Sequence, residues 1–187
     1  MRVISGTARG TILKTPDGMT TRPTADRVKE AVFSILQFDL PGAKVLDLFG
    51  GTGQLGIEAL SRGAAHCVFV DGNKAPCNLI RENLRRTKFS DSATVICSDY
   101  LLFLRSCREK FDIILLDPPY AEVFLENSIK LISEIDILQS GGIIVAERPF
   151  NKVLSDRIGD LVRSKDYKYG KTLISIYRKD RGEEFQL

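Results

Sequence analysis

Four residues that follow a strongly apolar run, Asp117-Pro118-Pro119-Tyr120, could hold a weakly nucleophilic amine for reaction. An amine conjugated to a nucleic-acid base delocalises its lone pair into the ring. The Asp117 carboxylate and the Pro118 carbonyl oxygen can accept its two N–H hydrogens and favour a pyramidal nitrogen that faces an electrophile. Pro118 and Pro119 restrict φ and stiffen the turn, and Tyr120 offers a flat face on which a base can stack. We therefore predict that these four residues are catalytic.

A second chemically informative segment lies earlier in the chain, where Val45 to Gly56 is typical of a strand, a glycine-rich turn and a helix start. Glycines let the backbone approach a ligand closely, and the amides of a helix N-terminus attract anions. The segment satisfies the G-x-G-x-x-G pattern of dinucleotide sites through Gly51, Gly53 and Gly56. Asp47 favours another ligand, because a carboxylate attracts the α-ammonium of a methionine moiety and does nothing for a pyrophosphate.

Two further carboxylates follow later predicted strands. Asp71 ends the second strand, where it can accept hydrogen bonds from a ribose diol of any nucleoside cofactor. Asp99 follows the third strand, where it could accept from an adenine amine, cap the next helix, or do both. Asp71 and Asp99 thus suit a nucleoside cofactor of either kind, and it is Asp47 that favours S-adenosylmethionine as the cofactor.

Alternating strands and helices must position these residues. The predicted strands are Ala43–Leu48, Cys67–Asp71, Ala93–Cys97, Phe111–Leu116 and Gly142–Glu147, and the predicted helices are Gln54–Arg62, Lys74–Arg86, Tyr100–Cys107 and Glu122–Ile135. Continuous apolar runs such as Ile113–Leu116 suit parallel strands covered on both faces. The alternation implies right-handed crossovers, and ligands of such sheets gather at the carboxyl ends of the strands.

The end of the chain breaks this rhythm. Asp166–Tyr169 and Thr172–Arg178 predict an antiparallel pair that turns near Gly170. A doubly wound sheet closed by such a hairpin is common among methyltransferases. The expected fold is therefore α/β, with a seven-stranded, Rossmann-like sheet of the class I S-adenosylmethionine-dependent methyltransferase type.

The beginning of the chain differs again. Val3–Ser5 and Thr11–Leu13 predict a small hairpin, and Thr24 can N-cap an amphipathic helix that follows it. The expected division is an N-terminal extension over residues 1–41 and a methyltransferase domain over residues 42–187.

Composition narrows the class of protein. The 187 residues suffice for one compact domain, and the net charge of +3 is weak support for an anionic partner. Basic residues concentrate at both ends of the chain, where a solvent-exposed charged surface explains them as well as an anionic partner does. They are Arg2, Arg9, Lys14, Arg22, Arg27 and Lys29 near the N-terminus, and Arg157, Arg163, Lys165, Lys168, Lys171, Arg178, Lys179 and Arg181 near the C-terminus. The four cysteines lack zinc-site spacing, so no metal is expected. Neither a membrane-spanning run nor a secretory leader is evident, which predicts a cytoplasmic location.

The segment Arg22–Ser34, taken with the glycine-rich turn and the Asp-Pro-Pro-Tyr motif, resembles the bacterial family that methylates guanine N2 in small-subunit (16S) ribosomal RNA. The resemblance spans nearly the whole chain. It implies that the substrate is 16S ribosomal RNA, free or in the small subunit. The cofactor-binding positions expected on this basis are Asp47, Phe49, Gly50, Gly51, Gly53, Asp71, Asp99 and Tyr100, and the RNA-binding positions are Arg9, Arg22, Thr24 and Arg27.

Other functions remain open at this point. The same catalytic motif could serve another base amine of RNA or DNA. A protein glutamine amide is a further possible acceptor, although such enzymes usually carry Asn in place of Asp117. The glycine pattern also permits an NAD(P)-dependent oxidoreductase, and a non-catalytic RNA-binding protein could keep the fold.

Overall fold

A computed structural model describes residues 1–16, 23–119 and 122–179 of the chain. The helices are α1 (Pro23–Ile35), α2 (Gln54–Ser61), α3 (Lys74–Thr87), α4 (Tyr100–Ser106) and α5 (Glu122–Glu134). The strands are β1 (Lys44–Asp47), β2 (His66–Asp71), β3 (Ala93–Cys97), β4 (Phe111–Leu116), β5 (Leu138–Pro149), β6 (Arg157–Ile158), β7 (Leu161–Tyr169) and β8 (Thr172–Lys179). None of the helices in the described part of the chain could cross a membrane.

All eight strands form one mixed sheet in the order β3-β2-β1-β4-β5-β8-β7-β6. The first five strands in that order are parallel, and the last three pair in antiparallel fashion. The order reverses beside β1, which is where ligands of doubly wound sheets bind. The predicted α/β fold with its C-terminal hairpin is therefore confirmed.

Three details of the sheet were predicted wrongly, and one of them is the start of β7, which lies at Leu161 and not at Asp166. The expected count of seven strands missed β6, whose two residues are too short to carry a periodic pattern. Strand β5 begins at Leu138, four residues before the predicted start at Gly142, and ends at Pro149, two residues after the predicted end at Glu147. Leu138 pairs with Phe111 of β4 at the early start of β5, and Pro149 pairs with Thr172 of β8 at its late end.

The two faces of the sheet bury separate apolar clusters, because successive side chains on a strand point to opposite faces. One cluster packs β1, β4 and β5 residues such as Leu115 and Val145 against α1, α2 and α3. The other packs residues such as Leu116 and Ala146 against α4 and α5. This covering on both faces explains why the parallel strands are continuously apolar in sequence.

The N-terminal segment forms the expected hairpin, with an antiparallel bridge between Arg2 and Ile12. It is bound to α2 through Glu58, which is fully buried and accepts hydrogen bonds from the backbone N–H groups of Ile4 (2.8 Å) and Ser5 (2.9 Å). A buried carboxylate requires such compensation, because losing water without partners costs several kcal/mol.

Helix α1 lies beside α2 and runs in the same direction. Lys29 of α1 is 3.6 Å from the Glu58 carboxylate, and four residues later the Phe33 ring lies beneath the Arg62 guanidinium at 5.2 Å. The contact residues are four apart in both segments, from Lys29 to Phe33 and from Glu58 to Arg62, so the two helices are parallel and begin next to each other. The helix starts at Pro23, so Thr24 occupies its second position and the predicted N-cap role of Thr24 is wrong. Proline suits the first position because its missing N–H has no helical partner there.

Candidate active site

Five carboxylates lie at or close to the carboxyl ends of the five parallel strands, and we call this side of the sheet its carboxyl edge. In spatial order along the edge they are Asp99, Asp71, Asp47, Asp117 and Glu147. Asp47 pairs in register with Leu115 of β4, two residues before Asp117. Leu116 pairs with Ala146 of β5, which brings Asp117 beside Glu147. The edge therefore collects negative charge contributed by segments distant in sequence.

The glycine-rich turn after β1 has a backbone that side chains would obstruct. Gly51 (φ +55°) and Gly53 (φ +79°) adopt left-handed conformations that favour glycine. Gly50 donates its N–H to the Val70 carbonyl at 2.8 Å, and a Cβ on Gly50 would lie 2.7 Å from Ile80 Cδ1. The turn is thus held against β2 and α3 with its backbone open to a ligand.

Asp47 lies at the centre of this edge and is 1% exposed. Its Oδ2 accepts a hydrogen bond from the Gly56 N–H at 3.0 Å. Burial raises the pKa of Asp47 to about 7, and the nearby charges of Asp117 and Asp71 add to the rise. Within the described part of the chain no cation pairs with this carboxylate. A ligand ammonium group fits such a position well.

Asp71 joins the glycine-rich turn to the end of β2. Its Oδ2 accepts from the Gly51 N–H and its Oδ1 from the Asn73 N–H, both at 3.0 Å. Each carboxylate oxygen has further lone-pair capacity, so a ribose hydroxyl can still be accepted there.

Asp99 caps helix α4, with its Oδ1 accepting from the N–H groups of Leu101 (2.9 Å) and Leu102 (3.3 Å). The N-cap function is therefore present, and contact with adenine stays a prediction. The next residue, Tyr100, belongs to an aromatic cluster with Phe49 and Phe124, both with ring centroids 5.4 Å from that of Tyr100. The cluster forms an apolar wall beside the edge, suited to a planar ring.

Asp117 and Glu147 form a pair of half-buried carboxyl groups. Burial raises the pKa of Asp117 to about 6. Burial also raises the pKa of Glu147 to about 8, with the charge of Asp117 contributing. Sequence reasoning missed Glu147, although its place at the end of a predicted apolar strand was a usable signal. Two neighbouring carboxyl groups whose pKa values are raised can accept and hold a proton near neutral pH.

Asn83 was also missed, and it joins the N-terminal segment to the glycine-rich turn. The side chain is fully buried on α3. Its Oδ1 accepts from the Lys14 N–H at 2.7 Å, while its Nδ2 donates to the carbonyls of Lys14 (3.0 Å) and Thr52 (2.9 Å). A polar residue at an apolar helix position was the signal available in the sequence.

The predicted RNA-binding residues do not all lie at this edge. Arg9 is exposed in the hairpin turn, and this turn is bound to the far end of α2, where Thr7 donates to the Ser61 carbonyl at 2.8 Å. The length of α2 separates it from the glycine-rich turn by about 12 Å. Arg27 is exposed near the beginning of α1, on the side of the glycine-rich turn.

Some predicted positions fall where the structure gives no description. Arg22 and Tyr120 lie outside the described residues, as does the side chain of Thr24. Pro118 and Pro119 follow Asp117 in the described chain, with Pro119 exposed. Among the described residues, no group of three or more His, Cys, Asp or Glu side chains could hold a metal ion.

Comparison with known proteins places this arrangement in a family. The family described as Conserved hypothetical protein 95 matches residues 1–178. YlbH of Bacillus subtilis is 41% identical over 182 residues, covering 96% of this chain and 99% of YlbH. Ribosomal RNA small subunit methyltransferase D of Haemophilus influenzae is 36% identical over 157 residues, covering 82% and 81%. The solved structure of yhhF from Escherichia coli superposes with a TM-score of 0.87 at 29% identity, covering 96% and 98%. The chain belongs to the family of ribosomal RNA small subunit methyltransferase D.

Proposed function

We propose that this chain transfers a methyl group from S-adenosylmethionine to the exocyclic N2 amine of a guanine in 16S ribosomal RNA. The observation that carries the proposal is the placement of Asp117 next to Asp47 and the glycine-rich turn on adjacent parallel strands. When bound, the cofactor supplies an electrophilic methyl group on a cationic sulfur. The geometry therefore puts a group that can hold an amine beside a site suited to a cationic nucleoside.

The residues of the chain have separable roles in this proposal. Asp47 binds the α-ammonium, Asp71 binds the ribose, and Phe49 and Tyr100 border the adenine. The Asp117 carboxylate accepts one N–H of the guanine amine and orients its lone pair, and the Pro118 carbonyl accepts the other. Held by these residues, the cofactor would supply its methyl group to that lone pair, and the neutral thioether would be the leaving group. The methylated nitrogen then loses its proton to the Asp117–Glu147 pair.

An oxidoreductase is less well supported. A pyrophosphate at the glycine-rich turn would meet the buried carboxylate of Asp47, whereas an ammonium group would be attracted to it. The family relatives that are named for ribosomal RNA methylation agree with a ligand that carries an ammonium group.

Several finer points belong to the same proposal. The substrate is taken to be 16S ribosomal RNA, free or within the small subunit, in the cytoplasm. Arg22, Thr24 and Arg27 are proposed to contact RNA near the beginning of α1, with Arg9 contacting a more distant part. The division into a 1–41 extension and a 42–187 methyltransferase domain is part of this scheme, and Tyr120 is assigned to base stacking.

Methyl transfer can be tested with labelled S-adenosylmethionine, purified protein and 16S ribosomal RNA, followed by mass spectrometry of the nucleosides. We expect N2-methylguanine, and its loss in Asp117→Ala protein that still binds S-adenosylhomocysteine. Comparison of ribosomal RNA from cells with and without the gene should show the same nucleoside. Label found only in N6-methyladenine or N4-methylcytosine would refute the guanine assignment, and calorimetric binding of NADH without S-adenosylhomocysteine would refute the enzyme class.

A further inference from the structure

A surface at the end of β5 lies at the same edge as Asp117, and no predicted RNA-binding residue belongs to it. It comprises the loop 149–153 after β5 and residues 168–171, which end β7 and turn into β8, and we call it the β5–β8 platform. Pro149 pairs with Thr172, and the Phe150 N–H donates to the Lys171 carbonyl at 2.9 Å. Phe150 is three residues beyond Glu147, or about 10 Å along an extended chain.

Arg148 lies beneath the surface of this platform, is only 5% exposed, and stabilises the loop through its hydrogen bonds. Its Nε donates to Ser175 Oγ at 2.8 Å, and its Nη2 donates to Asp166 Oδ2 at 2.7 Å. Its Nη1 donates to the Lys152 carbonyl within the loop. A buried guanidinium with three kinds of partner holds the loop in one geometry, so the exposed residues above it are pre-organised.

The platform exposes an aromatic ring. Phe150 is 50% exposed, and Val153 is 89% exposed in the same loop. The Lys168 ammonium lies 5.0 Å from the centroid of the Phe150 ring. Aromatic rings interleaved with cations are the usual means by which proteins bind single-stranded nucleic acid without reading its sequence.

Lys168 and Lys171 differ from Arg163 and Lys179 in their availability for an external anion. Arg163 is paired with Asp166, and Lys179 with Asp136 and Asp160. In the part of the chain that the structure describes, the exposed Lys168 and Lys171 form no ion pair. These two lysines therefore keep their charge for an external anion.

We propose that Phe150, Lys168 and Lys171 bind the single-stranded RNA adjacent to the target base, with a neighbouring base stacked on Phe150 and phosphates bound by the two lysines. The inference rests on the proposed function, since it names the part of the protein that holds the RNA. Charge supports it: the edge itself is lined by carboxylates that repel phosphates, so the backbone of the RNA needs cations displaced from the edge.

The test compares Phe150→Ala and the double variant Lys168→Ala/Lys171→Ala with matched controls. Phe38→Ala removes a ring that is 88% exposed in the segment leading into β1, on the side of the sheet where the parallel strands begin. Lys130→Ala removes a lysine that is 69% exposed on α5. Neither control residue lies on the platform.

Two measurements distinguish stacking from phosphate binding. The first is the affinity for a fluorescein-labelled single-stranded RNA of about 12 nucleotides. We expect Phe150→Ala to weaken it by about 5- to 100-fold. The second is the slope of log affinity against log salt concentration, which should fall in magnitude by about 1.4 in the double-lysine variant, or about 0.7 per phosphate contact. S-adenosylhomocysteine affinity should stay at the wild-type value in both.

Methylation kinetics provide a further measurement. In Phe150→Ala and in the double-lysine variant we expect the KM for 16S RNA to rise and kcat to stay unchanged. The proposal is overturned if Phe150→Ala binds RNA like Phe38→Ala, or if the double-lysine variant keeps the wild-type salt slope. Direct binding to the short RNA requires no catalysis, so these outcomes stand apart from a failure of the proposed function, which would appear as an absence of N2-methylguanine with wild-type protein.

Discussion

Replacing Asp47 with Asn should stabilise the ligand-free protein while it impairs cofactor binding. The carboxylate is buried, and its pKa of about 7 lies above the usual value of 3.8. Because the folded state raises this pKa, ionisation of Asp47 opposes folding as the pH rises from about 4 to about 7, and the full penalty applies above that range. At 1.36 kcal/mol per pKa unit the penalty is about 4 kcal/mol at about pH 8 and about 2 kcal/mol at about pH 5.5.

The side-chain amide of the Asp47→Asn variant would retain the Gly56 N–H hydrogen bond through its carbonyl oxygen and would not ionise. Urea unfolding should therefore show a larger free energy of unfolding for Asp47→Asn than for the wild-type protein. This difference should become smaller as the pH is lowered from about 8 to about 5.5. Calorimetry should show S-adenosylhomocysteine binding weakened by about 30-fold or more, because an ammonium loses its buried counter-charge. A difference in unfolding free energy that is absent, or independent of pH, would refute the reasoning.

Three further predictions concern catalysis and packing. The pKa of Asp117, about 6, predicts that kcat falls about tenfold between about pH 8 and about pH 5 as the carboxylate is protonated. Asp117→Asn should lack this decline at low pH, and an unchanged wild-type rate at low pH would count against a role for the ionised form. Gly56→Ala should lower the free energy of unfolding by about 1–3 kcal/mol or more, because its Cβ would lie 2.2 Å from Phe69 Cε1. Gly72→Ala, whose Cβ meets nothing within 4 Å, should change it by less than about 0.5 kcal/mol in the same urea titration. Asn83→Ala should cost about 2–4 kcal/mol in that titration and raise the KM for S-adenosylmethionine, because three buried hydrogen bonds that hold Lys14 and Thr52 are lost; an unchanged KM would make Asn83 purely structural.

The parallel half of the sheet was predictable because its central strands β1, β2 and β4 are buried on both faces and are therefore short apolar runs. The predicted β3 and β4 agree with the structure at both ends, and β1 and β2 agree to within one residue at each end. Carboxylates at the ends of those runs, such as Asp47, Asp71 and Asp117, could be assigned to one edge of the sheet from the sequence alone, because the carboxyl ends of parallel strands lie side by side.

Other features depended on pairings that leave little local trace. Strand β6 is too short to be recognised, and the two ends of β5 follow from its pairing with β4 at Leu138 and with β8 at Pro149. The position of Arg9 at the far end of α2 follows from hydrogen bonds between segments more than 50 residues apart, as from Ala8 to Ser61. A basic residue near a predicted RNA-binding segment in sequence was thus placed away from the edge in space.

The sequence by itself determined the chemistry of the individual groups. Strand ends, glycine conformations and the Asp-Pro-Pro turn are local properties of the chain, set by backbone sterics and the burial of apolar runs. Only the tertiary structure decided which groups act together, such as Glu147 beside Asp117, or Phe150 beside Lys168. The register between strands and the docking of distant segments are decided by the packing of the whole core, so neighbours in space cannot be inferred from either partner alone.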